Sequence, residues 1–150
     1  MTDIEIRPAL EREVPAVIAL LVDDVLGAGR ESPDDLAPYL AAFARLESDP
    51  NQVLAVAVRA DKVIGTLQLS IIPGLSRRGR TRSIIEAVRV HRDERGSGLG
   101  TTLMEWAIAE SARRGCTLVQ LTSDRTRTDA HRFYDRLGFT ASHVGFKLEL

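Results

Sequence analysis

The sequence predicts an α/β protein, with one domain in which a mixed sheet is flanked by helices. Runs rich in β-branched residues alternate along the chain with apolar residues at helical spacing, in the order β-α-α-β-β-β-α-β-α-β. The 150 residues are 44% hydrophobic and 27% charged, a composition typical of one globular domain that buries about 70% of its unfolded-state surface. The sequence therefore predicts a single domain over residues 1–150.

The chain begins with a predicted strand and two predicted helices. Ile4 and Ile6, followed by Pro8, predict the strand, and residues 11–26 carry apolar side chains at helical spacing. Glycines at 27 and 29 end this first helix, and the run Ser-Pro-Asp-Asp at 32–35 predicts a second one that continues to about residue 47. The predicted buried stripe of the first helix consists of Val14, Val17, Ile18, Leu21 and Val25.

The middle of the chain predicts a hairpin and a third strand. The two strands of the hairpin cover residues 53–59 and 63–72, and an apolar run over 84–90 follows a basic loop at 77–82. This loop is either a solvated hairpin tip or a contact for an anionic ligand. The net charge of −1 and the 5% aromatic content argue against nucleic acid as a partner.

The last third predicts a helix that ends at Gly115, a strand at 116–122, a short helix at 129–137 and a final strand at 144–150. In this final strand Val144, Phe146, Leu148 and Leu150 alternate with other residues. Such alternation is expected both of a strand buried on one side within a monomer and of a strand in a homodimer contact.

Cysteine content and charge limit the classes of site. Cys116 is the only cysteine, so neither an internal disulfide nor a thiolate metal cluster can form, and we interpret Cys116 as a packing residue. The histidines have no metal-ligand spacing, so no metal is expected. No run reaches the ~18 apolar residues of a membrane span, which predicts a cytoplasmic protein without membrane contact. Residues 1–50 hold 11 acidic and four basic residues, whereas residues 51–150 hold ten and 16.

A glycine-rich loop connects the strand at 84–90 to the following helix. Its sequence, Arg95-Gly96-Ser97-Gly98-Leu99-Gly100, places backbone N–H groups at the positive end of a helix dipole, a site suited to phosphate. A nucleoside-triphosphatase loop requires Lys before Ser or Thr, but Thr101 follows Gly100 directly. A dinucleotide fingerprint separates its second and third glycines by two residues, and here only one intervenes.

The loop resembles that of the GCN5-related N-acetyltransferase superfamily, whose pattern Arg/Gln-x-x-Gly-x-Gly/Ala is met by Arg95, Gly98 and Gly100. The resemblance extends to the order of elements and to the closing segment at 130–139. The run at 127–134 looks most like the small-amine group that includes aminoalkylphosphonate acetyltransferases. The resemblance implies a mostly antiparallel sheet with one splayed strand pair, about four helices, and acetyl-CoA as co-substrate.

The resemblance also implies which residues hold acetyl-CoA. Backbone groups of the splayed strand contact the pantetheine arm and loop amides bind the pyrophosphate. Arg127 stands where many relatives have asparagine, so it is assigned either to a CoA phosphate or to an anionic group of the acceptor. The predicted cofactor-binding residues are Val88, Arg89, Val90, Arg95, Gly96, Ser97, Gly98, Leu99, Gly100, Thr101, Arg127, Ala130 and Phe133.

Direct acetyl transfer requires a proton donor for the departing thiolate and a base for the amine. Tyr134 matches the proton donor of many relatives. Glu86 is the first choice for the base because it interrupts an apolar strand, and a period of two places it on the same face as Val88 and Val90. Asp124 is the alternative base, and an ordered water is able to relay the proton in either case.

The predicted reaction is acetyl transfer to the primary amine of a small molecule. Two alternatives stay open: acetylation of a protein lysine or N-terminus, and a catalytically silent module that senses CoA. The presence of both Glu86 and Tyr134 weighs against the silent module. A homodimer is a further expectation from the resemblance.

Overall fold

The computed structural model describes residues 3–150, which form a five-stranded sheet with helices on both faces. The strands are β1 (Glu5–Pro8), β2 (Gln52–Arg59), β3 (Lys62–Pro73), β4 (Thr81–Val90) and β5 (Leu118–Leu121). The helices are α1 (Val14–Val22), α2 (Ala37–Ser48), the single turn α3 (Ser76–Gly79), α4 (Leu99–Arg113) and α5 (Thr128–Arg136). The predicted α/β class and most of the predicted element order are confirmed.

The strands lie in sequence order, β1-β2-β3-β4-β5. The first three pairs are antiparallel, whereas β4 and β5 are parallel. The β2–β3 hairpin turns where predicted, through Ala60 at φ 49° and Asp61 at φ 63°. Two successive residues with positive φ make the type I′ geometry, whose twist matches that of the flanking strands.

Each face of the sheet has its own core. On one face α1 and α2 cover Val56 and Val58, and Val17, Ile18 and Phe43 of the helices are among the buried residues. On the other face α4 packs against the central strands, and α5 adds half-buried side chains. The buried residues of this second core include Leu67, Leu69, Ile85, Leu99, Leu103, Met104 and Ala107.

The first helix is shorter than predicted. A 3-10 turn at Glu11–Glu13 precedes α1, and α1 ends at Val22 rather than near residue 26. Val25, predicted to be buried, is 95% exposed, and Leu20 is buried. The helix ends there because the next two residues contact arginines. Asp23 pairs with Arg92, just after β4, and Asp24 pairs with Arg89 on β4. The second helix likewise begins at Ala37, with Pro38 in its first turn, and not near residue 33.

The predicted strand at 144–150 is wrong. Residues 140–150 have no regular secondary structure and pair with no strand in the part of the chain that the structure describes. Their alternating apolar side chains lie in solvent, with Phe146 94% exposed. An alternating sequence forms a strand only where a neighbouring strand accepts its backbone hydrogen bonds, and none lies beside it. Among residues 3–150, no helix has both the length and the apolar character that crossing a membrane requires.

Candidate active site

Strand β4 separates from β5 halfway along its length. The parallel pairing runs from Arg82 opposite Leu118 to Ile85 opposite Leu121, and it stops there. Strand β4 continues to Val90, and over residues 86–90 it pairs only with β3. The splayed pair that the resemblance implied is therefore present. The edge of β4 that faces the gap has backbone groups free to bind a ligand.

A β-bulge lies at the start of this splayed part. Ala87 has φ 54°, and the register places Glu86 opposite Gln68 but Arg89 opposite Thr66. The strand therefore holds one extra residue between Glu86 and Arg89, and bulges of this kind reverse the alternation of faces.

The bulge changes the predicted orientation of Glu86. Because Gln68 and Thr66 share a face, Glu86 and Arg89 share that same face, on the side of α1 and α2. Val90 lies opposite Gly65, on the side of α4. The prediction that Glu86 shares a face with Val90 is wrong, since simple alternation assumed a regular strand. Glu86 is exposed, whereas Val88 is half-buried and packs on the α4 side.

The glycine loop leads from β4 into α4 through left-handed backbone. Gly96 has φ 80° and Gly98 has φ 90°, values that favour glycine strongly. A Cβ built on either residue would meet no atom within 4 Å, so this face of the loop is open. Gly98 is the N-cap of α4, and the first-turn amides of Leu99, Gly100 and Thr101 therefore point outward without helical acceptors. These are the amides that the sequence predicts to bind phosphate.

Several side chains of the loop are engaged in holding its shape. The Ser97 hydroxyl donates to the Glu94 carbonyl at 2.5 Å, and the Thr102 hydroxyl donates to the Gly98 carbonyl at 3.2 Å. The Leu99 side chain is buried in the core beside α4. The loop therefore offers a ligand mainly backbone N–H groups, while its side chains fix the backbone.

Arg95 bonds to the end of α1. Its guanidinium donates to the Asp23 carbonyl at 3.2 Å and lies 3.7 Å from the Asp23 carboxylate. Arg92 pairs with the same carboxylate at 2.5 Å, and this bond lowers the pKa of Asp23. Asp23 thus joins the glycine loop to α1. The sequence analysis did not identify Asp23 as part of the site. The signal that could have identified it is the acidic pair Asp23-Asp24, directly after the apolar run of α1.

Tyr134 lies on α5 among aromatic and cationic neighbours. Its ring centroid is 5.3 Å from that of Phe133 and 6.0 Å from that of Phe139. Burial raises the pKa of the Tyr134 phenol, and the charges of Arg127 and Arg89 act in the opposite direction. The phenol is therefore protonated at neutral pH, as a proton donor must be.

Phe133 connects α5 to the glycine loop. Its ring lies within ordinary contact distance, 3.6 Å, of a Cβ built on Gly100, and Val90 approaches the same point at 3.9 Å. Ala130, one turn earlier on α5, is half-buried. The structure thus brings the end of β4, the start of α4 and the start of α5 together around the gap.

Arg89 and Asp24 form an ion pair on the α1 side of β4. Their closest atoms are 3.3 Å apart, and the two side chains are only 14% and 19% exposed. Arg89 also donates to the Val88 carbonyl at 3.0 Å. The Arg89 Nε and the Asp24 Oδ2 are buried without a hydrogen-bond partner within residues 3–150. Burial lowers the pKa of Arg89, the Asp24 carboxylate opposes this, and the charges of Arg127 and Arg30 lower the pKa further.

Asp124 lies in the turn before α5 and is exposed. Its Oδ1 accepts hydrogen bonds from the Thr126 hydroxyl at 2.6 Å and from the Thr126 amide at 2.9 Å. These bonds lower the pKa of Asp124. A carboxylate with a lowered pKa is a weaker proton acceptor, and this environment therefore weakens Asp124 as a base.

Cys116 lies just before β5 and packs against the core, and burial raises the pKa of its thiol. A raised pKa disfavours the thiolate that a nucleophile needs.

An open cavity of about 990 Å³ lies on the α1 side, next to Asp23 and Arg92, but none of Glu86, Asp124 and Tyr134 lines it. Two of its arginines, Arg7 and Arg92, are already paired with carboxylates. The residues predicted for catalysis therefore lie outside this cavity.

Comparison with known proteins agrees with this geometry. The family model described as the acetyltransferase (GNAT) family matches residues 15–139. The aminoalkylphosphonate N-acetyltransferase of Salmonella typhimurium is 31% identical over 95% of this chain and 88% of its own length. The glucosamine 6-phosphate N-acetyltransferase of Trypanosoma brucei is 30% identical over 100% of this chain and 98% of its own length.

Among solved structures, a crystal structure described as a transcriptional regulator from Bacillus halodurans C-125 is 41% identical, with a TM-score of 0.94. The match covers 99% of this chain and 100% of that one. The relatives, the family model and the splayed strand lead to one conclusion. The chain belongs to the acetyltransferase (GNAT) family and is an acyltransferase.

Proposed function

We propose that this chain transfers an acetyl group from acetyl-CoA to the primary amine of a small molecule that also carries a phosphonate or phosphate. The observation that carries the proposal is the gap between β4 and β5. The unpaired half of β4, the open start of α4 and the Tyr134 segment of α5 all border it. A location in the cytoplasm is part of the proposal.

The residues at the gap suit acetyl-CoA. The pyrophosphate needs a cluster of N–H donors at a helix start, and the amides from Gly96 to Thr101 supply it on an open surface. The pantetheine arm carries amide groups that need backbone partners, which Val88, Arg89 and Val90 offer along the unpaired edge of β4. Phe133 and Ala130 provide the apolar wall opposite, and Arg95 adds positive charge near the phosphates.

Acetyl-CoA supplies the acetyl group as a thioester whose C–S bond breaks as the amine nitrogen forms the new amide bond. In the proposed mechanism Glu86, directly or through a water, accepts the proton that the amine releases. A backbone N–H at the bulge, near Val88, donates to the carbonyl oxygen and stabilises the charge that develops there. Tyr134 donates its phenolic proton to the departing sulfur. The amine enters from the α1 and α2 side, the face to which the bulge turns Glu86.

The arginines at the gap support an anionic acceptor. The charges of Arg30 and Arg127 both act on Arg89, and Asp24 forms an ion pair with Arg89. An amine that carries a phosphonate or phosphate would offset the remaining positive charge near Arg89 and Arg127. Two relatives are named for such acceptors, an aminoalkylphosphonate and glucosamine 6-phosphate.

Release of CoA thiol, measured with matched amines, tests the proposal. We expect a higher kcat/KM for aminoethylphosphonate than for ethanolamine, and for glucosamine 6-phosphate than for glucosamine. The exposed Arg127 changed to Gln should reduce this preference about tenfold while leaving the rate on the neutral amines unchanged. Arg132→Gln, on the surface of the same helix, is the control.

Three outcomes would contradict the proposal. Equal rates on charged and neutral amines would mean that the acceptor needs no anionic group. Faster acetylation of lysine peptides or peptide N-termini would assign the enzyme to protein substrates. Binding of acetyl-CoA without acetylation of any amine would support the silent CoA sensor.

A further inference from the structure

The turn that precedes the glycine loop is held from two sides by ion pairs. Arg92 and Glu94 are the first and last residues of this 3-10 turn. Arg92 donates to both carboxylate oxygens of Asp23, at 2.5 Å and 3.2 Å, and Asp23 directly follows α1. Glu94 accepts a hydrogen bond from Arg59, the last residue of β2, at 2.5 Å. One pair therefore fixes the turn to α1, and the other fixes it to β2.

Each ion pair is joined to the loop by a further contact. The Glu94 carbonyl accepts hydrogen bonds from the Ser97 amide at 3.2 Å and from the Ser97 hydroxyl at 2.5 Å. Arg95, the first residue of the loop, donates to the Asp23 carbonyl at 3.2 Å. A displacement of either pair would therefore be transmitted to the backbone of the loop.

The loop itself has little else to fix its shape. Residues 95–98 are all exposed, and a Cβ built on Gly96 or on Gly98 would meet no atom within 4 Å. Glycine adopts more backbone conformations than any other residue. An unrestrained loop of this composition would lose conformational entropy when its amides converge on one ligand, and that loss would weaken binding. A loop whose shape is fixed before the ligand arrives avoids this loss.

We propose that the Asp23–Arg92 and Arg59–Glu94 ion pairs preorganise the glycine loop for the pyrophosphate of acetyl-CoA, which makes their side chains positioning residues. The inference rests on the proposed function for the identity of the ligand. The Glu94 side chain is only 16% exposed and that of Arg59 34%, so water screens this pair less than it screens a fully exposed one.

The signs of the four charges separate this role from direct attraction of the phosphates. Two of the side chains are anionic and two are cationic. If they acted on the phosphates only through their charge, loss of an acid would strengthen binding and loss of an arginine would weaken it. If they hold the loop, loss of either partner weakens binding, and loss of both partners adds little to loss of one.

Titration calorimetry with CoA as the probe measures this difference. We expect the Kd for CoA to rise about tenfold in each of Asp23→Asn, Arg92→Gln, Arg59→Gln and Glu94→Gln. The double variant that combines Arg59→Gln with Glu94→Gln should have the same Kd as either single variant. Turnover at saturating acetyl-CoA should stay at the wild-type value, because the pairs act on cofactor binding and not on the transfer step.

Glu13→Gln is the matched control. It breaks the 2.8 Å ion pair with Arg7 at the start of α1, a pair that is not bonded to the turn or to the loop within residues 3–150. Its Kd for CoA should equal that of the wild type, even where its melting temperature is lower.

Three results would overturn the inference. A lowered Kd in the two acid variants would mean that charge alone acts on the phosphates. A Kd raised as much in Glu13→Gln would mean that the loss of any ion pair has this effect. Wild-type affinity in all four variants would overturn the inference alone, whereas a wild-type protein that binds no CoA would overturn the proposed function together with it.

Discussion

The two halves of β4 differ in their neighbours and in what they do. Residues 81–85 pair with β3 on one side and β5 on the other, and Ser83 and Ile85 are almost fully buried. Residues 86–90 pair with β3 alone, begin with a bulge at Ala87, and carry the exposed Glu86. The first half holds the sheet together, whereas the second half leaves backbone and side chains available to ligands.

The comparison shows how one strand serves both stability and binding. Pairing on two sides uses every backbone group, so such a segment has nothing to offer a ligand. Loss of one neighbour releases these groups, and the bulge redirects the side chains that follow. We therefore expect substitutions in residues 81–85 to change the free energy of unfolding. Substitutions at or facing residues 86–90 should instead change the rate of acetyl transfer.

Tyr134→Phe should have the largest effect, because Tyr134 is the proposed proton donor. We expect turnover to fall by about 10²–10⁴-fold, with little change in the affinity for acetyl-CoA measured by calorimetry. Burial raises the pKa of Tyr134 above its ordinary value of about 10, so the wild-type enzyme should not lose turnover through this group up to pH 9.

Tyr39→Phe is the matched control for this variant. The Tyr39 hydroxyl bonds to Glu31 and to the Ser32 amide, away from the gap, so turnover should be unchanged. If Tyr134→Phe turned over as fast as the wild type, Tyr134 would have no part in the reaction.

Ile85→Ala tests the doubly paired half. Ile85 is 2% exposed within the core below α4, and its truncation should lower the free energy of unfolding by about 2–5 kcal/mol. Urea denaturation measures the loss. The KM of the folded fraction for acetyl-CoA should stay at the wild-type value. A strongly raised KM would mean that the two halves of β4 do not act separately in stability and binding.

Glu86→Gln tests the base in the other half. We expect turnover to fall about 100-fold near pH 7 and to recover partly at higher pH, as more of the amine is already deprotonated. The pH dependence of turnover is the measurement. Glu105→Gln, on the exposed surface of α4, is the control. A profile like that of the wild type would remove Glu86 from the mechanism.

Ser83→Ala should have the smallest effect. The Ser83 hydroxyl lies 2.7 Å from that of Ser111, and Ser111 in turn donates to the Ala107 carbonyl. Removal of Ser83 therefore loses one buried hydrogen bond without stranding its partner, a cost of about 1 kcal/mol in unfolding free energy. Thermal denaturation, with the exposed Ser76→Ala as the control, measures this loss. Turnover of Ser83→Ala should be unchanged.

Much of the site could be predicted because its signals are local. Glycines at alternate positions around the start of an amphipathic helix predict a left-handed loop with free amides, and the structure has positive φ at Gly96 and Gly98. The bulge could not be predicted in this way, since Ala87 is neither glycine nor proline and its φ of 54° is set by pairing with β3. The orientation of Glu86 was therefore predicted wrongly, although its position on the strand was correct.

The partners of the arginines depended on the fold as well. Asp23 meets Arg92, and Asp24 meets Arg89, across more than 60 residues of chain. Nothing in the local sequence relates these residues, and the same contacts end α1 earlier than helical periodicity predicts.

By itself the sequence determined the class of fold, the strand-loop-helix that suits a phosphate, and the tyrosine on the last helix, because periodicity, glycine content and spacing act within a few residues. The tertiary structure alone decided where β4 leaves β5, which face Glu86 occupies and that the tail at 140–150 stays unpaired. These features depend on which backbone groups find partners, and partners distant in sequence meet only when the sheet is assembled.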